Sequence, residues 1–260
     1  MRNVVYSLFG VVFLIISFKD SYPFKKLEYY EIRTYYFENK YQETLLDQYL
    51  EHALLPALHR LKINKVGFFK PIANDTGVIK KIIVFIPFKQ IMQFLSMDEK
   101  LEKDQQYLRK GQEYISSPYT KPAYKRIEKM LLKAFSKMPV SKKPNLKSPS
   151  TSKVYELRSY ESASENIYRN KVHMFNEGGE IDLFKQLGFN AIFYAEVLTG
   201  NRLPNLMYMT CFENMDERNS HWKKFAEDTA WKKLSSMPQY QKNVSRSEII
   251  LMRSTVYSDL

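Results

Sequence analysis

The chain has a single cysteine, Cys211, among its 260 residues. One thiol excludes an intramolecular disulfide framework and removes the paired cysteine spacings from which most structural zinc sites are built. Its setting, MYMTCF, is apolar. A reactive thiolate needs electropositive, partly exposed surroundings, so Cys211 reads as a buried structural thiol. Glycine is scarce too, at 8 residues. No P-loop, GxSxG elbow or HExxH pair occurs, which removes the common phosphate-cradling, serine-nucleophile and zinc-protease chemistries. The chain also lacks an apolar run of the roughly twenty residues that a spanning helix wants.

The composition that is present supports a packed core, with 44% hydrophobic and 15% aromatic residues. The net charge of +12 is unevenly placed: residues 25–150 carry 24 Lys and Arg against 13 Asp and Glu, whereas residues 151–260 carry 14 of each. A basic half suits a solvated lysine-rich surface or an anionic partner. It shows no aromatic-interleaved nucleic-acid motif, so no nucleic acid is expected. Ahead of it, Arg2 and the uncharged run 4–18 (VVYSLFGVVFLIISF), closed by Lys19, have the layout of an export signal. Residues 1–21 are therefore expected to be a signal peptide or, lacking a clean small-x-small cleavage triplet, an N-terminal inner-membrane anchor. The remainder would be exported, periplasmic or extracellular, and would meet a membrane only through that segment.

Periodicity then reveals a doubled chain. Residues 27–36 (LEYYEIRTYY) alternate as a strand. Residues 38–61 carry leucines at spacings of three and four, an amphipathic helix that Pro56 should kink. Residues 63–72 and 78–88 read as two strands around an Asn-Asp-Thr-Gly turn, and 89–114 as one charged helix. The second half repeats this order: VYELRSY at Val154 answers YYEIRTY at Tyr29, and GFNAIFYAEV at Gly188 answers GFFKPI at Gly67. The correspondence makes 126–137 a strand, like 245–255. Residues 139–153, rich in Pro, Ser and Lys, read as a linker that buries nothing. The expected fold is α+β: two tandem ferredoxin-like βαββαβ units, residues 25–138 and 154–260, with antiparallel four-stranded sheets. Strands such as residues 191–198 are apolar on both faces, so each sheet needs a second cover. The other unit supplies it, as a pseudo-twofold barrel within one chain; a homodimer is the alternative.

The segments VYELRSYES, MFNEGGEIDLFKQLGF, PNLMYMTCFENMDERNSHWKKF and SEIILMRSTVYSDL resemble the NIPSNAP family. That resemblance implies the dimeric α/β-barrel superfamily of ferredoxin-like units. It covers the second repeat, while the first is similar to the divergent N-terminal copy of exported bacterial members. It implies no reaction, because the family has no established catalytic residue set.

The candidate site residues follow from spacing. Glu31 with Arg33, and Glu156 with Arg158, share a sheet face. They would hold a polar ligand if that face lines a barrel, or fix register as ion pairs. Gly178-Gly179 interrupts a helical segment. His173, Glu177 and Glu180 lie at helical spacings around it without a second ligand group, and no metal is assigned. Arg202 sits at a hairpin tip, within reach of a barrel mouth. Trp222, Trp231 and Phe225 read as core anchors. The leading expectation is a non-catalytic protein that binds a small molecule or a protein, with no cofactor. The alternative is an enzyme of the cofactor-free monooxygenase or haem type, which the superfamily resemblance implies, using a cavity between sheet and helices with His173, Glu177 or Tyr194. For the haem version, solitary His173 or His221 would be the axial ligand.

Overall fold

The computed structural model describes residues 26–260 except Asp75. The expected signal or anchor lies outside the described residues. The first unit runs β1 (Tyr29–Phe37), α1 (Lys40–Tyr49), a π-helical turn (Leu50–Leu54), α2 (Leu55–Arg60), β2 (Gly67–Pro71), β3 (Lys80–Phe88), α3 (Ile91–Leu95), α4 (Met97–Glu102), α5 (Gln105–Ile115) and β4 (Arg126–Ala134). The second runs β5 (Val154–Glu161), α6 (Glu165–Asn176), α7 (Glu180–Gln186), β6 (Asn190–Thr199), β7 (Asn205–Phe212), α8 (Met215–Glu227), α9 (Thr229–Ser236) and β8 (Arg246–Ser254).

Local chemistry explains several boundaries. The proline kink expected in the first helix takes the form of the π-helical turn, which ends at Leu54, two residues before Pro56. Proline has no N–H and crowds the preceding turn, and the wider π-type turn is one way a helix absorbs that. The single helix expected over 89–114 is three. Its last piece starts afresh because the Asp104 carboxylate caps the Gln106 and Tyr107 amides at 3.0 Å each. Gly179, at φ +96°, separates α6 from α7 in a conformation that strains any residue with a Cβ.

The eight strands close into one antiparallel barrel, in the order β1-β3-β2-β8-β5-β7-β6-β4. Each unit contributes four neighbours in ferredoxin-like order. The seams are β2 with β8 and β4 with β6, the same pairing used twice about a pseudo-twofold axis along the barrel. The sheets therefore hide their second faces by joining edges around a common lumen, and no edge strand is left open. Alternation along each strand sorts side chains to two sides. Tyr30, Ile32, Phe85, Leu157, Phe193, Met209 and Met252 pack in the lumen. Tyr35, Phe68, Val84 and Phe88 pack under α1, α2 and the π-turn. Tyr194, Tyr208 and Phe212 pack under the helices of the second unit with Phe175, Phe184 and Phe225. Cys211 is buried in the lumen cluster, and burial pushes its thiol up to about 12.

Residues 139–153 do connect the units, but they are packed across the end of the barrel where β1 and β6 begin. Ser141 donates its amide and hydroxyl to the Glu28 carboxylate (2.7 and 2.8 Å), the Lys142 amide donates to the Ile192 carbonyl (2.9 Å), and Leu146 joins the lumen cluster. The composition suggested no burial; hydrogen bonds back to the strands supply the order instead.

Candidate ligand-binding site

The outer face of β5, turned toward the helices, carries Glu156, Arg158 and Tyr160 in succession. Period-two alternation puts all three on one side, opposite Tyr155 and Leu157, which face the lumen. The pair Glu31 and Arg33 on β1 is placed in the same way. Both pairs thus lie between sheet and helix rather than in the barrel.

In the second unit this face opens into a cleft of about 630 Å³, walled by β5, β7, α6, α7, α8, α9 and the loop before β8. Arg158 forms one wall. Its Nε donates to Glu156 Oε1 at 2.6 Å, its Nη1 to the Tyr160 hydroxyl at 2.9 Å, and its guanidinium carbon lies 3.5 Å from the centre of the Trp222 ring. Among the described residues nothing hydrogen-bonds its Nη2, which unlike the corresponding atom of Arg33 is not sealed from solvent. Glu156 is held from the helix side as well. Arg218 of α8 grips it with Nε (2.8 Å) and Nη2 (3.0 Å), and the Trp222 indole N–H donates to it at 2.8 Å. Burial opposes ionisation of Glu156, but the Arg218 hydrogen bond, the Arg158 charge and the indole outweigh it and hold the carboxyl below its ordinary range. Two guanidiniums on one carboxylate leave a positive charge in excess.

The opposite wall carries Lys171, which donates to Glu180 Oε2 at 2.8 Å; both residues are almost completely buried. Desolvation raises the Glu180 carboxyl, with Lys171 opposing the shift. The Lys171 ammonium also lies 4.7 Å from the Phe175 ring centre and 5.9 Å from those of Tyr160 and Trp231. Tyr160 and Tyr208 bond hydroxyl to hydroxyl at 2.8 Å, and burial pushes the Tyr208 hydroxyl well up, so it stays neutral. Both tryptophans of the chain, Trp222 and Trp231, line the cleft.

The structure scatters the remaining expected site residues. His173 and Glu177 are exposed on the far side of α6, with His173 Nδ1 bonded to the Tyr240 hydroxyl at 2.8 Å. Glu180 faces inward to Lys171, so the three side chains diverge, and no metal-binding group of His, Cys, Asp and Glu is found among the described residues. Tyr194 is packed against Phe175, Phe184 and Tyr208 in the core. Arg202 is at the β6–β7 hairpin tip and pairs with Glu248, well away from the cleft. Neither His173 nor His221, the two histidines expected as axial ligands of a haem, lines the cleft. Reading by spacing missed Lys171, and grouped Glu180 with His173 and Glu177 instead of with the lysine it pairs with. A lysine on the face shared with Met174 and Phe175 was the available signal, since a charged group on an apolar stripe needs a buried counter-charge.

Comparison with known proteins places this geometry. No curated protein matches the chain in sequence. A candidate monooxygenase from Fusobacterium nucleatum subsp. nucleatum superposes with a TM-score of 0.58 at 7% identity, over 88% of this chain and 92% of the other. A candidate monooxygenase from Lactobacillus acidophilus superposes with 0.56 at 8% identity, over 88% and 94%. An anthrone oxidase-like protein does so with 0.50 at 10% identity, over 88% and 91%. At these identities the likeness is one of fold alone, an antiparallel α/β barrel. Residues 155–259, which build every wall of the cleft, match the NIPSNAP family and form a NIPSNAP domain.

Proposed function

We propose that the protein binds a small planar organic anion in the cleft of the second unit. The observation that carries this reading is the free Nη2 edge of Arg158, which faces solvent-accessible space beside an aromatic wall in a locus with one surplus positive charge. A carboxylate or phenolate oxygen would take that edge as a charge-assisted hydrogen bond. The ring behind it would lie against Trp222 and Trp231, while the tyrosine hydroxyls orient it. Both tryptophans report on the site, so a fluorescence titration with 1-naphthoate, and with neutral 1-naphthamide as control, tests the reading. Naphthoate should quench saturably, and Arg158→Gln should weaken it at least tenfold, about 1.4 kcal/mol. Equal binding of acid and amide would sink the assignment.

A second reading has one observation behind it. The Glu180 carboxyl, raised by burial, borders the cleft and is suited to take a proton from an acidic phenol. The monooxygenase names of the fold neighbours suggest cofactor-free oxygenation of such a substrate by dioxygen. Oxygen uptake with polycyclic phenols, lost in Glu180→Gln, would support it; no uptake with any of them would remove it. Residues 1–21 remain, on this reading, an export signal or anchor. Mass spectrometry of the N-terminus of the protein recovered from cells distinguishes the two.

A further inference from the structure

The lumen itself is not filled at the end where β1 and β5 finish. A cavity of about 310 Å³ opens there between the β2–β3 and β6–β7 hairpins, with residues of both units around it. Its shaft is apolar: Ile32, Ile83 and Met130 from the first unit, Leu157, Met207 and Ile250 from the second. These are matched positions about the pseudo-twofold, as the equivalent pairings Thr34 with Ile83 and Ser159 with Met207 show.

The rim breaks that symmetry. Arg126 pairs with Glu128 (3.0 Å), which also accepts from the Tyr36 hydroxyl (2.8 Å), and Arg202 pairs with Glu248. Those charges cancel. Lys81, half-buried, has no ion pair among the described residues. The position that answers it in the second unit, set by the pairings Tyr36 with Lys81 and Glu161 with Asn205, holds the neutral Asn205. Asn205 and Ser159 satisfy each other, the amide donating to the hydroxyl at 2.8 Å. One side of the mouth thus offers an uncompensated cation above an oily shaft, and the other offers nothing further to bind.

We infer that the barrel mouth is a second binding site, for a medium-chain monocarboxylate whose head group pairs with Lys81 and whose tail enters the shaft. A methylene takes up about 30 Å³, as a liquid water does, so a tail of about ten carbons fills the space. Each buried methylene adds about 0.8 kcal/mol, which drives the tail in, while the lone ammonium selects an acid over an alcohol. The inference rests on the mouth alone and not on the cleft of the second unit.

Isothermal titration of the full chain with decanoate and with decan-1-ol tests it. Decanoate should bind once per chain and at least tenfold more tightly than decanol. Lys81→Gln should abolish that preference without changing the melting temperature, since the residue sits on the rim. Ile250→Trp, which fills the shaft, should remove binding of both, and Arg158→Gln should leave both unchanged. No decanoate binding, binding that survives Ile250→Trp, or binding lost in Arg158→Gln would each overturn the assignment.

Discussion

The two units place the same three residues, Glu-x-Arg-x-Tyr, on the helix-facing side of their first strand, yet one arrangement is closed and the other open. In the first unit Arg33 reaches Glu31 at 2.5 Å and Tyr35 at 3.2 Å, and the space above them is taken by tyrosines. Tyr49 and Tyr114 stack with ring centres 3.7 Å apart, and Tyr107 bonds to Tyr49 at 2.9 Å. Glu31 Oε2 and Arg33 Nη2 are sealed without a hydrogen-bond partner. In the second unit Arg218 and Trp222 reach in from α8, every oxygen of Glu156 is used, and the space left over is the cleft. A strand motif therefore does not make a site. What the covering helices bring to it decides between a sealed ion pair and the wall of an open cleft.

Breaking the ion pairs should expose the difference most strongly. Arg33→Met strands a fully buried carboxylate and is expected to cost about 3–5 kcal/mol in chemical denaturation. Arg158→Met leaves Glu156 with Arg218 and the indole, and should cost about 1–2 kcal/mol. Equal losses would mean that the extra contacts on Glu156 do not compensate.

The closeness of α5 in the first unit can be tested next. A Cβ on Gly111 would lie 2.9 Å from Ile115 Cδ1 and 3.3 Å from the Ala53 Cβ. Ile115 can move but Ala53 cannot, so Gly111→Ala should lower stability by about 1–3 kcal/mol. Naphthoate binding in the second unit should not change, and a loss there would show that the two faces are coupled.

The smallest effect is one of pH. Glu156 is held below its ordinary value of 4.5 in the folded protein. Its contribution is therefore present above that value and is lost as pH falls through the lower folded value. Glu180 is raised, so its contribution runs the other way: full below 4.5 and lost as pH rises. Denaturation midpoints between pH 3 and 6 should fall with acid in the unaltered protein and fall less steeply in Glu156→Gln. Parallel curves would remove Glu156 as the acid-sensitive group.

Much of the fold was legible because it rests on repetition. The strand pattern at Tyr29 recurs at Val154, and the repeated order of elements assigns β4 by its match to 245–255. The site was legible only in part. Glu156 and Arg158 announce themselves by spacing, and the tryptophans by rarity, but the Lys171–Glu180 pair joins two helices across a glycine break that no local pattern spans. His173 and Glu177 misled for the complementary reason. Helical spacing brings them near Glu180 on paper, but the left-handed turn at Gly179 rotates α7 so that Glu180 points inward while they face water. The packed connection 139–153 was missed because its order comes from backbone amides bonding to Glu28, Ile192 and Glu213, none of which its composition records.

Alternation and repetition in the chain were enough to determine two βαββαβ units with strands apolar on both faces, since those patterns are local and periodic. Tertiary structure alone decided that the barrel closes within one chain, through the β2–β8 and β4–β6 edges. It decided too that the paired charges turn away from the lumen, and that one of two equal strands faces a cleft while the other is sealed. Those outcomes depend on which distant side chains arrive at the same point, and spacing along a chain carries no record of that.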